Sequence, residues 1–377
     1  MNVCVISAPD EMRLACQRLR AYLLNKGETA LAYDPGWLFA LSNGLGHQPY
    51  LLEAMDDSGK PIGWLPLGFV RSLLFGRFLV SLPYLNVGGV QTDSPAAAVA
   101  LIDSACNLAD ELKVKFLELR SEKEFSHPKL TFTRTEKMHL RLALPETEEE
   151  LWKSIGCKAR NQVRKGEKSN LTVQWGDSDS LISDFYEIFS VNMRDLGTPV
   201  YSINLFKQIR NAFNHDEQRK ALFDVRPVPY NYQQTVQFAV VYSSTGEPAA
   251  GGMLTFGTPC SDASCLTVEV PSASCKKKFN SVCANMFLYW QLLKKSIEYK
   301  QRMFDFGRST VDSPTFRFKQ QWGAQPFPSF WQYYLRNADP NCMRPDKGGF
   351  GLAVRLWQKL PVWITRIIGP GIVKGIP

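Results

Sequence analysis

The sequence predicts an α+β protein built from two tandem copies of one unit, each a mixed, mainly antiparallel sheet flanked by helices. Three observations lead there. The chain has 377 residues, more than one ordinary core accommodates. Two hairpin signatures recur, "YLLEAMDDSGKPIGWLPLGFV" and "QFAVVYSSTGEPAAGGMLTFG", each with a glycine in the turn (Gly59, Gly246) and a proline two residues on (Pro61, Pro248). The elements after each hairpin then repeat in order, with 61 residues from Gly59 to Arg120 and 62 from Gly246 to Arg308. Equal spacing over five elements is the mark of duplication.

Taken in order, "MNVCVISAPDEMRLACQRLR" reads as a short strand and a charged helix, too polar for a signal peptide. After the first hairpin come a strand "RFLVSLPYL", a glycine loop "NVGGVQTDS", a helix "SPAAAVALIDSACNLADELK" and a strand "FLELRS". The segment "ETEEELWKSIGCKARNQVRKGEK" reads as one helix. Leu151, Ile155, Ala159 and Val163 fall four apart on one face, Glu148, Glu149 and Glu150 lie in the first turn, and Gly166 is the expected stop. A second helix, "LISDFYEIFSVNMRDLG", leads through the turn "GTPVY" to a third, "SINLFKQIRNAF". After the second hairpin come "CLTVEVPSAS", a loop "CKKKFNS", a helix "NMFLYWQLLKKSIEYK" and a strand "FDFGRS", which ends in Arg-Ser as "FLELRS" does. The expected units are 1–145, 146–340 and a tail 341–377. In the tail, Pro361 divides two short helices that carry Trp357 and Trp363 among basic residues. That composition suits peripheral contact with a membrane surface through 351–377.

Composition sets outer limits. The chain is 45% apolar and 21% charged, with a net charge of +8. This fits an anionic partner, whether a phosphate-bearing substrate, RNA or a membrane surface, and selects none of them. Nine cysteines, at 4, 16, 106, 157, 260, 265, 275, 283 and 342, form no CxxC pair, and the four histidines sit at no ligand spacing to them. No metal site is expected, and the cysteines read as small core residues in a reducing, cytoplasmic setting. No apolar run reaches the roughly 18 residues of a spanning helix.

The β-β-β-loop-α-β order of each unit is that of the GNAT acyltransferase fold. The helix "LWKSIGCKARNQVRKGEKSNLTVQ", the run "NMFLYWQLLKKSIEYKQRMFDFGRST" and the segment "TFRFKQQWGAQP" resemble the FemAB-like transferases. "RDLGTPVY" and "FDFGRS" followed by "FKQQWGAQP" resemble more narrowly the FemAB-like proteins encoded beside exosortase and exopolysaccharide systems in bacteria. The resemblance covers about 30 to 340. It implies two GNAT-like domains and transfer of an acyl or aminoacyl group to an amine, here on a cell-envelope or exopolysaccharide precursor. It also implies a donor that is an aminoacyl-tRNA or an acyl-CoA, no tightly bound cofactor, and no DNA partner. Two other readings stay open: an acyl-CoA-dependent N-acyltransferase acting on a small-molecule or sugar amine, and a non-catalytic pair of degenerate GNAT units that binds RNA or lipid phosphate.

Acyl transfer to an amine passes through an oxyanion and has no requirement for a Ser or Cys nucleophile, which fits the absence of a Ser-His-Asp or Cys-His motif. The strand end at Asp305, Arg308 and Ser309 is the expected catalytic region, with Gly307 bending the backbone away. Arg317 and Lys319 would arrive there from the next connection. Arg160, Arg164 and Lys165 on the basic helix, and Asp195, Thr198 and Tyr201 around the "GTP" turn, are expected to touch substrate. Lys277, Lys278, Asn280 and Ser281 stand where a GNAT fold holds donor phosphates at a helix start, although the Gly-x-Gly or Gly-x-Ala signature of acetyl-CoA enzymes is missing.

Overall fold

The computed structural model describes every residue except 29, 216–234, 258–265, 337–350 and 377. Cys260, Cys265, Cys342 and the expected boundary at 340/341 lie outside the described residues.

The first half runs β1 (Asn2–Ile6), α1 (Pro9–Asn25), α2 (Gly36–Leu45), β2 (Gln48–Met55), β3 (Pro61–Ser72), β4 (Gly76–Val80), β5 (Gln91–Thr92), α3 (Pro95–Glu111), β6 (Phe116–Ser121), β7 (Phe132–Arg134) and β8 (Lys137–Ala143). The helices α4 (Glu148–Ser154) and α5 (Cys157–Lys168) follow. The second half then repeats the plan: β9 (Thr172–Gly176), α6 (Asp179–Leu196), α7 (Ile203–Asn214), β10 (Val236–Tyr242), β11 (Pro248–Thr255), β12 (Thr267–Cys275), α8 (Ala284–Glu298), β13 (Met303–Thr310), α9 (Pro314–Gln320), β14 (Gln325–Phe327) and β15 (Phe330–Leu335). Two tail helices close the chain, α10 (Gly351–Lys359) and α11 (Val362–Val373).

The duplication holds in the hydrogen bonding. Both turn glycines have positive φ, +79° at Gly59 and +80° at Gly246. Strands β2, β3 and β4 pair antiparallel and β4 pairs parallel with β6. In the same way β10, β11 and β12 pair antiparallel and β12 pairs parallel with β13. The sheets run β1-β2-β3-β4-β6-β15-β7 and β9-β10-β11-β12-β13-β8-β14. Each half therefore lends a strand to the other. β8 lies in the second sheet although it precedes 145/146 in the chain, and β15 lies in the first.

The basic segment departs from expectation. It forms two helices, because Gly156 adopts an extended backbone between them and caps α5. Leu151, Ile155, Ala159 and Val163 are all buried in the second core, as the four-residue spacing requires. Gly166 does not stop the helix, which runs to Lys168. A Cβ on Gly166 would stand 2.8 Å from Cβ of Phe287 on α8, so the glycine permits close helix contact.

Candidate functional site

The parallel strands at the middle of each sheet separate, and the two halves treat the gap differently. In the first half pairing ends at Val80–Glu118. The loop after β4 then seals the gap: Ser81 Oγ accepts from the Arg120 N–H at 2.8 Å, and the N–H groups of Gly88 and Gly89 reach Arg120 O at 3.1 and 2.8 Å. Gly89 is required there, since a Cβ would stand 2.9 Å from that carbonyl. In the second half pairing ends at Glu269–Asp305. Among the described residues no ladder pair joins β12 to β13 beyond that rung. Gly307, at φ +75°, bends β13 away, and the register with β8 shifts between Asp305 and Arg308.

At the apex of this gap lies a buried ionic layer. Asp305 is wholly buried, and its Oδ2 meets His139 Nδ1 at 3.1 Å and Arg141 Nε at 2.8 Å. Its Oδ1 accepts the Gly307 N–H at 2.7 Å, which ties the carboxylate to the strand bend. Burial alone would raise its pKa; His139 and Arg141 outweigh that and hold it well below the usual carboxylate range. Arg141 also pairs with Glu122. Glu269 accepts the Ala32 N–H at 3.1 Å, and burial, then Asp305, push its pKa up to about 8. Tyr33 lies within the same field, its pKa raised by burial and by Glu122.

Past the bend, Arg308 lays its guanidinium on Trp331, with Cζ 3.2 Å from the ring centroid, and its Nε donates to Asn86 Oδ1 at 3.3 Å. Ser309 is buried and its Oγ has no partner among the described residues. Lys319 is also buried. Its Nζ donates to the carbonyls of Gly307 and Arg308 at 2.9 and 3.2 Å, so it braces the bend from α9. Burial pushes its pKa down to about 8. Arg317 is exposed on the same helix.

The other expected residues gather elsewhere. Arg160 Nη1 donates to the carbonyls of Trp152, Lys153 and Ile155, closing the end of α4. Arg164 stacks over Trp152 at 5.3 Å and lines a cleft of about 410 Å³ with Glu148, Glu149, Glu167 and Trp290. Lys165 is exposed on the same helix. Asp195 pairs with Arg194 at 2.7 Å and lies 3.8 Å from Lys277. Lys278 pairs with Glu247 at 2.5 Å, so two of the three loop lysines already face carboxylates and the third, Lys276, reaches Glu187 and Glu247. Asn280 and Ser281 are exposed in a 3-10 turn over Lys277–Val282 that stands between β12 and α8. Gly197, at φ +76°, ends α6, and the Thr198 N–H returns to Met193 O, so the "GTP" turn is a helix stop. Tyr201 meets Tyr84 edge to face at 5.3 Å, and its hydroxyl pKa is pushed up to about 12 by burial.

The structure thus brings Asp305, Arg308, Ser309 and Lys319 together and leaves the basic helix in a separate place. Sequence reasoning missed Glu269, His139, Arg141 and Trp331. The repeated Arg-Ser at Arg120 and Arg308 was the available signal for the last of these, because Trp331 joins that pair.

No protein-family model matches the chain, and no curated protein matches it. Solved structures do. A crystal structure of FemX superposes with a TM-score of 0.59 at 15% identity, over 89% of this chain and 98% of that one. A tandem GNAT protein from the clavulanic acid biosynthesis pathway gives 0.52 at 10% identity, over 90% and 99%. Saccharomyces cerevisiae N-myristoyltransferase with bound myristoyl-CoA gives 0.51 at 11% identity, over 90% and 80%. The fold is therefore a tandem GNAT fold of the kind FemX has.

Proposed function

We propose that this protein is an N-acyltransferase whose reaction takes place in the gap between β12 and β13. The observation that carries the reading is the asymmetry of the two gaps: one is sealed by hydrogen bonds from its own loop, and in the other the strands part beside a buried ionisable layer. An acyl carbonyl lodged in the open gap lies beside strand edges with no ladder partner, where peptide N–H groups can meet a developing oxyanion. The amine nitrogen attacks the carbonyl carbon. The C–S bond of a thioester or the C–O bond of an aminoacyl ester then breaks, and the leaving group takes a proton. Glu269, with a pKa near 8, is suited to accept the proton that an ammonium must lose first. Asp305, Arg141, His139 and Lys319 hold the bend that forms the gap and act as positioning residues.

The donor is a phosphate-bearing acyl carrier, acyl-CoA or aminoacyl-tRNA, and the acceptor is an amine on an envelope or exopolysaccharide precursor. Both assignments follow the sequence resemblance. Peripheral contact with the inner membrane surface through 351–377 belongs to the same proposal. It is supported by an outward apolar face, Leu352, Leu356, Trp363 and Ile367, on a segment with four basic residues and no acidic one. No described helix is long and apolar enough to cross a membrane.

The test is transfer of label to amine acceptors from acyl-CoA or charged tRNA by the purified full-length protein. Turnover with either donor, reduced at least tenfold in Glu269→Gln, supports the reading. Binding of both donors without turnover sinks it.

A further inference from the structure

The two sheets meet at Trp331. On β15 it stands opposite Arg120 of β6 on one side and Arg134 of β7 on the other, so the three share one face of the first sheet. Arg308 arrives from the second sheet and covers the indole at 3.2 Å, while Arg120 covers it at 3.9 Å. Arg120 and Arg308 are duplicates of one another, but their partners differ. Arg120 is committed to Glu118, with Nε to Oε1 at 2.6 Å, and to Leu85 O at 2.7 Å. Arg308 makes no ion pair among the described residues, and it feels only the field of the Glu118 carboxylate that Arg120 already holds. Beyond Asn86 and the ring, its terminal amino groups have no partner among the described residues. Lys137 is two residues along β8 from His139, which stands opposite Arg308, so Lys137 and Arg308 are diagonal neighbours on one face. Lys137 likewise has no ion pair among the described residues.

We infer that Arg308 and Lys137 form a seat for a phosphate or pyrophosphate group at the seam of the two sheets, with Arg134 at its edge. Trp331 and Asn86 fix the plane of the guanidinium, which leaves its outer fork to take two oxygens while the lysine supplies a point charge to a third. The electrostatics agree. Burial, then Arg120, push the Arg308 pKa down to about 9, and burial, then Arg308, Arg120 and Arg134, lower that of Lys137. Lys137 nonetheless keeps solvent contact, as a group lining a concave site does. Glu118, committed to Arg120, and Glu136 offset only part of this positive field, and the remainder favours an anion. The lysines of the 277–278 turn already have carboxylates.

This deepens the acyl-transfer reading only in naming which residues hold the substrate's phosphate; binding itself requires no turnover. The probe is inorganic pyrophosphate, titrated calorimetrically into the full chain at two ionic strengths. The expected result is binding that weakens about tenfold or more in Lys137→Gln and in Arg308→Lys, the loss typical of a charged hydrogen bond, and that is unchanged in Lys60→Gln, at an exposed turn of the first hairpin. Lys137 is exposed, so its variant keeps the fold even where Arg308→Lys melts early. Coenzyme A and a nucleoside-diphosphate sugar are then competed against pyrophosphate: displacement by the first assigns the seat to the donor, by the second to the acceptor. No pyrophosphate binding by the unaltered protein, equal binding by Lys137→Gln, or displacement by neither compound overturns the inference. Intact pyrophosphate binding without acyl transfer leaves the seat standing and removes only the catalytic reading.

Discussion

Asp305 shows how a single side chain can settle its own role. It meets His139, the Arg141 guanidinium and a peptide N–H in a space that excludes water. Asp305→Asn leaves His139 and Arg141 buried beside a neutral amide, and breaking a buried pair from one side costs about 3–5 kcal/mol. Urea unfolding should show a loss of that size; a variant as stable as the parent would mean the layer is wetter than its burial indicates. Glu269 has the opposite pH sign. Its pKa rises from 4.5 to about 8 on folding, so the protonated form is the stabilised one. Its contribution is complete below pH 4.5 and is lost as pH rises through 8. Asp305, with its lowered pKa, contributes above its unfolded value and loses that only as the medium turns strongly acid. Between pH 5 and 8 the parent should therefore lose stability relative to Glu269→Gln, because the lowered pKa values of His47 and Lys319 act on both proteins alike. Parallel slopes for both proteins would remove Glu269 as the titrating group.

Among the elements, α5 and the tail are the most open to test. Gly166→Ala pushes a methyl group against Phe287 across the α5–α8 contact. Overpacking of this kind costs about 1–3 kcal/mol, readable as a lower Tm with an unchanged far-ultraviolet spectrum. The tail has two faces. Thr365, Gly369 and Val373 are buried, and Gly369 lies so near the Val200 backbone that a Cβ would meet its N at 3.0 Å. Trp363 and Ile367 point outward, 65% and 69% exposed. Replacing both by Ser should leave the Tm unchanged and reduce cosedimentation with anionic vesicles, whereas Gly369→Leu should lower the Tm. An equal Tm loss in both variants would make the outward face a packing face. The sequence made these elements legible because hairpin turns, helix periodicity and Pro361 act locally. It also placed the bend at Gly307, since a glycine after alternating Phe304 and Phe306 marks a break in the strand, although β13 resumes beyond it to Thr310. It left the site incomplete for a reason of distance: Arg120, Arg308 and Trp331 are far apart in the chain, and no local pattern says which sheet will receive residues 137–143 or 330–335. The basic run at 158–168 lies outside this cluster: Arg160 closes α4, and Arg164 and Lys165 face solvent on α5.

At the scale of the molecule, the exchange of β8 and β15 makes each sheet depend on both halves. β15 sits between β6 and β7, and β8 between β13 and β14. Fragments cut at 145/146 each lack an interior strand and expose the edges it should cover. Neither 1–145 nor 146–377 should give a cooperative melt when expressed alone, and the two mixed should recover one. A cooperative transition from either fragment alone would mean that the borrowed strand is dispensable.

The same exchange sets an order on biosynthesis. The first sheet, although its other strands are made early, cannot close until residue 335 has left the ribosome. Until then β6 has an open side and β7 has no neighbour at all. The nascent chain thus carries an unfilled strand slot through most of its translation, and that slot is where a holding chaperone would find it.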